Sequence, residues 1–433
     1  MKKYIILLLA TMIGYSSCKQ EDYYNPSSAG EEQVVKDING LIAVANGLQY
    51  RYSIGRQSPV YSYIAASGLS AKELLVLNVG NTEEAALQAG YGTVSPTNSV
   101  ISRLWENSHL TIASADKILN NLSSIGDVKV KNALICHANL FKGLSLLQLG
   151  TFWEQAPLVQ RKNATFSPRA DVLQAALKLF EDGATAAGNF TADAKYVSTG
   201  NINFLNTFNV LIARTNLMLG KYDAALAAAD KVKDFKSKSA FPFDDATRNP
   251  IFDVAYSNTN VIEPIDSTLG LPSAFKPDIN DKRVLFYVKT KKKVAGTAYG
   301  KGFFTSNSAA IPIYVPGEVI LIKAECYALL NKLPEAVTEL DKVLTKKGAD
   351  DGWGLGAELP AFAGDKTSKA VILNEIYRNR CIELFNSGLK LEDSRRFGRP
   401  GPKDAGAERT RTFYPYPQSE RDNNSNTPAD PAE

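Results

Sequence analysis

The sequence predicts an all-α protein, built of helical hairpins interrupted by irregular loop insertions. Three observations lead there. Apolar residues recur at helical spacing over long stretches. A stretch with the form of a helical hairpin occurs twice. The segments between are rich in Gly, Ser, Asn, Pro and aromatic residues and show little periodicity.

The helices are read from their apolar faces. In Ile101–Leu122, the residues Ile101, Leu104, Trp105, Ile112, Ala115, Leu119 and Leu122 fall on one face. Val130–Leu149 predicts a second long helix with Gly150 as its stop. Pro168–Ala187 predicts a third, with Pro168 suited to the first turn. Val371–Ser387 is helical too, and it carries Arg380 on its apolar face with Glu383 three residues on. A charge there costs several kcal/mol unless paired, so a buried ion-pair network joining this helix to the repeats is expected rather than catalysis.

The repeat aligns Phe204–Val232 (FLNTFNVLIARTNLMLGKYDAALAAADKV) with Val315–Val343 (VPGEVILIKAECYALLNKLPEAVTELDKV) without gaps. Ala213 meets Ala324, Gly220 meets Asn331, and Asp230-Lys231-Val232 meets Asp341-Lys342-Val343. A small residue in mid-helix lets a partner approach, Gly or Asn supplies a left-handed turn, and an Ala-rich second helix packs back. Gly143, Leu149 and Gly150 match the first half of the unit. The unit resembles a tetratricopeptide hairpin, but long insertions separate its copies.

Those insertions are Tyr50–Asn98, Phe235–Ala310 and the loop Lys346–Lys366 around Gly352-Trp353-Gly354. Val284–Val288 alternates as a short strand would. Insertions on a helical scaffold are where ligand contacts are usually placed.

The N-terminus has a different logic. Lys2-Lys3, the apolar run from Tyr4 to Ile13 and the small residues before Cys18 have the layout of a signal peptide over 1–17, too short to span a bilayer. Cys18 looks like the acceptor of a bacterial lipoprotein signal, which is acylated on its thiol. Lys19-Gln20-Glu21-Asp22 resembles an acidic export tag of Bacteroidetes surface lipoproteins. Residues 18–30 read as a tether and 31–433 as one helical domain. Loss of Lys2 and Lys3 takes the net charge from +4 to +2, too little for a general polyanion binder. Cys136, Cys326 and Cys381 sit in apolar helical contexts and read as core residues.

Four blocks resemble the SusD/RagB family of Bacteroidetes outer-membrane nutrient-binding lipoproteins. The first is Arg103-Leu104-Trp105 with Ala115-Asp116 and Ala138–Pro157; the second is Phe204–Val232. The third is Ile311-Pro312-Ile313 with Glu318 and Glu325. The fourth is Arg380, Glu383, Leu384, Gly388, Asp393, Arg395 and Arg396, at the spacing of the family's closing signature. Asn379, Ser387 and Lys390 depart from that signature, and Val315 stands where the family usually has an arginine. Asp281-Lys282-Arg283 and Phe413–Glu420 also match. The resemblance implies a SusD-like α-α superhelix and a cell-surface protein anchored in the outer membrane through acylated Cys18. It implies capture of an oligomeric nutrient, a glycan before a peptide, and delivery to a TonB-dependent SusC-like transporter without catalysis or cofactor. It implies also that Arg380, Glu383, Gly388, Asp393 and Arg396 are structural.

The residues offer no competing chemistry. His137 shares a face with Leu134 and Phe141, and His109 lies beside an apolar stripe. No His/Cys/carboxylate cluster has metal spacing, and there is no nucleophile elbow or phosphate loop. A surface glycan hydrolase is the rival reading, because carboxylate separation is a three-dimensional quantity. Candidate ligand contacts are the insertion residues Tyr91, Asn98, Tyr256, Tyr299, Phe303, Phe304 and Trp353, as aromatic faces and planar polar groups suit sugars.

Overall fold

The computed structural model describes residues 35–190, 193, 195, 196, 198, 200–233, 236–257, 261–288 and 301–432. The expected leader, Cys18 and the tether lie outside the described residues. Within them the chain is all-α, as its periodicity predicts. Its long helices are α1 (Ile38–Ser53), α2 (Pro59–Ser70), α4 (Ser99–Leu119), α5 (Val128–Phe152) and α6 (Arg169–Ala187), with the short α3 (Thr82–Ala89) before α4. Then come α7 (Phe204–Met218), α8 (Tyr222–Ala229), α9 (Lys282–Tyr287), α10 (Pro316–Leu329), α11 (Leu333–Leu344) and α12 (Lys369–Glu383). The short α13 (Lys390–Arg396) and α14 (Gln418–Asn423) close the chain.

Helices neighbouring in sequence pack in sequence: α4 on α5, α5 on α6, α6 on α7, α7 on α8, α8 on α10 and α10 on α11. The two copies of the repeat are tetratricopeptide-like hairpins with the same turn. Gly220 (φ +72°) and Asn331 (φ +60°) both take the left-handed conformation. The following amide closes back on the helix in each: Lys221 N donates to Asn216 O (2.9 Å) and Lys332 N to Tyr327 O (2.8 Å).

Gly150 does not stop α5. The helix runs on to Phe152 and ends at Trp153, whose backbone is extended. Gly150 serves close approach instead, since a Cβ there would lie 2.9 Å from Leu173 on α6. Val284–Val288 is not a strand but most of α9. Asp281 caps that helix, accepting from Arg283 N at 3.0 Å, and helical spacing turns Arg283 and Tyr287 inward. The insertion Tyr50–Asn98 holds α2 and α3. Every residue of α2 is buried, so no polar face was left to show a helical period.

Three two-stranded antiparallel sheets tie the insertions down. β1 (Leu74–Val76) pairs with β5 (Ile262–Pro264), β2 (Gln155–Pro157) with β3 (Phe166–Pro168), and β4 (Ala240–Phe241) with β6 (Ile311–Pro312). The closing segment threads back through the stack. Tyr414 OH donates to Ala66 O (2.9 Å), and Trp153 Nε1 donates to Pro415 O (3.0 Å). Cys136, Cys326 and Cys381 are buried and free, and burial pushes each thiol up to about 12. His137 is also in the core. Its Nδ1 lies 2.7 Å from Ala133 O, and its other ring nitrogen meets the Ser198 hydroxyl.

The expected buried ion network is present, with different pairs. Arg380 does not reach Glu383. Its Nε and Nη2 meet both oxygens of Asp393 at 2.9 and 3.0 Å, because α13 folds back against α12. Arg396 holds Glu325 of α10 with two bonds of 2.8 and 2.9 Å. Glu383, the last residue of α12, accepts instead from Arg283 (3.1 Å) and from Lys346. Arg214 of α7 grips Glu318 of α10 at 2.6 and 2.8 Å. The network thus bolts the closing helices to the repeats and to α9.

Glu73 lies beneath this network. It is fully buried, and its Oε1 accepts from Asn386 N at 3.2 Å. Burial raises its pKa from the ordinary 4.5 to about 7, against the Lys390 charge and with help from Asp393. The raised value sets the sign of its pH dependence. Its contribution to stability is fully present below about 4.5 and is lost as pH rises through about 7. The displacement corresponds to about 3 kcal/mol. Glu73→Gln, which keeps the acceptor and cannot ionise, is therefore expected to gain stability relative to the parent as pH goes from 5 to 8. Urea titrations at those two pH values check this. A parent and variant that lose stability in parallel would show that Glu73 does not titrate in that window.

Candidate ligand-binding face

The aromatic residues of the later insertions meet at one place. Phe303 is half-buried and lies inside the turn closed by the bridge Lys301–Phe304, with its ring among Phe286 (5.3 Å between centroids), Tyr287 (6.0 Å) and Trp353 (5.5 Å). Trp353 is likewise half-buried. Its loop is fastened from below: Trp353 N donates to Asp351 Oδ1 (2.7 Å), and Asp351 accepts from Lys346 (2.8 Å), which also holds Glu383. The Lys238 ammonium sits 4.8 Å from the centre of the indole, and Lys238 is exposed. The outer layer thus pairs a half-buried indole with an exposed lysine ammonium over its ring. Burial of Lys346 lowers its pKa, but the carboxylates of Glu383 and Asp351 outweigh this and leave it above the ordinary lysine value.

Tyr256 and Phe304 belong to the same region but to its inner layer. Both are buried and stack on each other at 5.9 Å, Tyr256 from a π-helical turn over Phe252–Ser257. Tyr299 lies outside the described residues.

Tyr91 and Asn98 lie elsewhere, where α3 leads into α4. Asn98 is 3 % exposed and spends its amide on structure. Its Oδ1 accepts from Val100 N (3.1 Å) and Ile101 N (3.4 Å) as the cap of α4, and its Nδ2 donates to Glu83 O (2.9 Å). Tyr91 is 39 % exposed and is held at φ +48°. Its backbone N donates to Thr410 O (3.1 Å), and its carbonyl accepts from Arg411, so the closing segment fixes this turn. A side chain of this size in the left-handed region is uncommon and is maintained by such contacts.

Sequence reasoning missed Arg214, Lys346 and Asn386. Lys346 carried no signal beyond its place beside a loop. Arg214 lies inside an apolar helix at a position the other repeat fills with Glu325, a charge mid-helix that marked a buried pair. Asn386 sits two residues before Gly388 in a turn where both are left-handed, φ +61° and φ +81°. Its asparagine before a glycine was the available signal.

Among the described residues, no group of three or more His, Cys, Asp or Glu side chains is arranged to hold a metal ion. No described helix is long and apolar enough to cross a membrane.

No protein-family model matches the chain, and no curated protein matches it. Solved structures do. A SusD homolog from Bacteroides thetaiotaomicron superposes with a TM-score of 0.70 at 15% identity, over 91% of this chain and 98% of its own. A SusD superfamily protein from Bacteroides vulgatus gives a TM-score of 0.69 at 16% identity, over 91% and 99%. A SusD-like carbohydrate binding protein from the same organism gives 0.65 at 16% identity, over 84% of each chain. Agreement over nine-tenths of the chain, hairpins and insertions together, means that the fold of this protein is SusD-like.

Proposed function

We propose that the protein captures an oligomeric nutrient, a glycan first, and performs no bond chemistry. The observation that carries this reading is the SusD-like fold, shared along the chain with a protein described as carbohydrate binding. The half-exposed indole of Trp353, in edge contact with Phe303 and with the Lys238 ammonium over its ring, offers a sugar an aromatic surface and a cationic donor together. Tyr91 offers a second, separate aromatic contact. Tyr299 completes the proposed contact set, and Asn98 supports it by fixing the start of α4. In this reading Cys18 is acylated and holds the protein at the outer face of the outer membrane. The captured ligand then passes to a TonB-dependent transporter beneath it. The acyl chains supply the anchoring, at about 0.8 kcal/mol for each buried methylene.

Calorimetric titration with panels of polysaccharides and peptides, with product analysis alongside, tests the reading. Saturable binding of glycans without cleavage is expected, and Trp353→Ala should weaken it about tenfold or more while the protein stays folded. Binding of peptides alone would replace the ligand class. Cleavage products would overturn the non-catalytic reading.

A further inference from the structure

The cation over Trp353 is held there by the fold. Lys238 lies between Ser237 and Ser239, just before β4. Asn203, the cap of α7, donates from Nδ2 to Ser237 Oγ (3.0 Å) and from its backbone N to Ser239 Oγ (2.9 Å). Ile313 N donates to Ser239 O (2.9 Å). The Trp353 loop touches the same run, since a Cβ on Gly352 would lie 2.9 Å from Lys236 O. The backbone on either side of Lys238 is thus pinned, and its exposed ammonium rests 4.8 Å from the centre of the indole. Among the described residues no carboxylate pairs with it, so its charge is open to a ligand.

The surroundings do not cancel that charge. The loop Lys346–Gly356 holds two acids. Asp351 is buried against Lys346, and the exposed Asp350 is offset by the exposed Lys347 of the same turn, whose carbonyl accepts from Asp350 N (3.0 Å). Between Asp281 and Glu318 the sequence holds seven basic residues and no acidic one. Two of the seven, Lys282 and Lys301, bracket the described part of this stretch beside Phe286, and Lys301 Nζ donates to Leu285 O (2.7 Å). Lys289, Lys291, Lys292 and Lys293 lie outside the described residues. The whole chain carries little net charge, so the positive sign belongs to this neighbourhood and not to the surface at large.

A neutral sugar that stacks on this indole must displace the ammonium, which loses its attraction to the ring and gains no charged partner. A carboxylate or sulfate on the ligand does the reverse. It accepts a charge-assisted hydrogen bond from the ammonium, and the flexible lysine stem lets the cation follow it and bare the ring. Given the glycan capture proposed above, we infer that this face selects an anionic glycan, one bearing carboxylate or sulfate groups, and that Lys238 makes the selection.

The test is calorimetry of the full chain in detergent with probes matched in backbone and differing in charge. Oligogalacturonate is paired with its methyl ester, and dextran sulfate with dextran, which separates carboxylate from sulfate. The expected result is that the charged member of at least one pair binds about tenfold or more tightly than its uncharged partner. That ratio should fall to about one in Lys238→Gln, return in Lys238→Arg, and shrink at high salt, with equal melting temperatures throughout. Equal affinities within both pairs, or a ratio indifferent to Lys238→Gln, would overturn the inference. Poly-glutamate bound as tightly as the charged glycans would overturn it too, in favour of an acidic peptide. Binding of the uncharged members alone would overturn the selection by charge and leave glycan capture standing, whereas silence on all four glycans would sink both.

Discussion

Glu383→Ala is expected to lower stability by about 3–5 kcal/mol, among the largest effects of any single side-chain deletion in this chain. Glu383 is wholly buried and stands between two cations that come from different parts of the fold, Arg283 of α9 and Lys346 of the loop after α11. Deleting it leaves both cations in a low-dielectric interior with one carboxylate each, Asp281 and Asp351. It also opens a void against α10, where the carboxylate packs so closely on Gly317 that a Cβ there would lie 1.9 Å from Oε1. Glu383→Gln keeps the shape and loses the charge, so it should fall between parent and alanine. Because the pair is buried, raising the salt concentration should leave the difference nearly intact. Denaturant titration reads all three. A loss under about 1 kcal/mol for alanine would mean that Asp281 and Asp351 suffice for the two cations.

That network also shows what the sequence discloses and what it hides. Arg380 on an apolar face announced a buried charge, because a helix period fixes which way a side chain points. Its partner was not disclosed. Glu383 lay at a helical spacing, yet α12 ends there and α13 turns Asp393 into the guanidinium fork. Local spacing gives reach within a helix and nothing about a helix that folds back. The repeats were legible for the same local reason, since Gly220 and Asn331 each mark a left-handed turn that few residues tolerate. Helix α2 was illegible because a helix buried on all sides has no period to read. Val284–Val288 misled because alternation over five residues is also met by a capped helix turning Arg283 and Tyr287 inward.

The candidate site divides along the same line. Aromatic residues in an insertion can be named from sequence, but their layer cannot. Phe303 and Trp353 stand half-open, while their neighbours Tyr256 and Phe304 are buried in the wall behind. Asn386 had no periodic context, and only the long-range fold brings its backbone N–H to the buried Glu73 carboxyl.

Gly270→Ala is expected to be at least as damaging as the loss of Glu383, for a backbone reason. Gly270 has φ +69°, and a Cβ on it would lie 1.7 Å from the carbonyl oxygen of Lys72. The obstacle is main chain, so no rotamer change relieves it, and either the turn or the end of α2 must move. Neither is free. Lys390 Nζ donates to both Leu269 O (3.1 Å) and Gly270 O (3.2 Å), and Glu73, next after Lys72, accepts from Ile265 N (3.0 Å) through its own carbonyl. Gly406 supplies the control, with φ +73° and no atom within 4 Å of the added carbon. Gly406→Ala should cost about 1 kcal/mol, the price of the conformation alone. Gly270→Ala should cost about 3 kcal/mol or more, adding the clash to that strain. Equal losses in denaturant titration would show that the turn can shift away from Lys72.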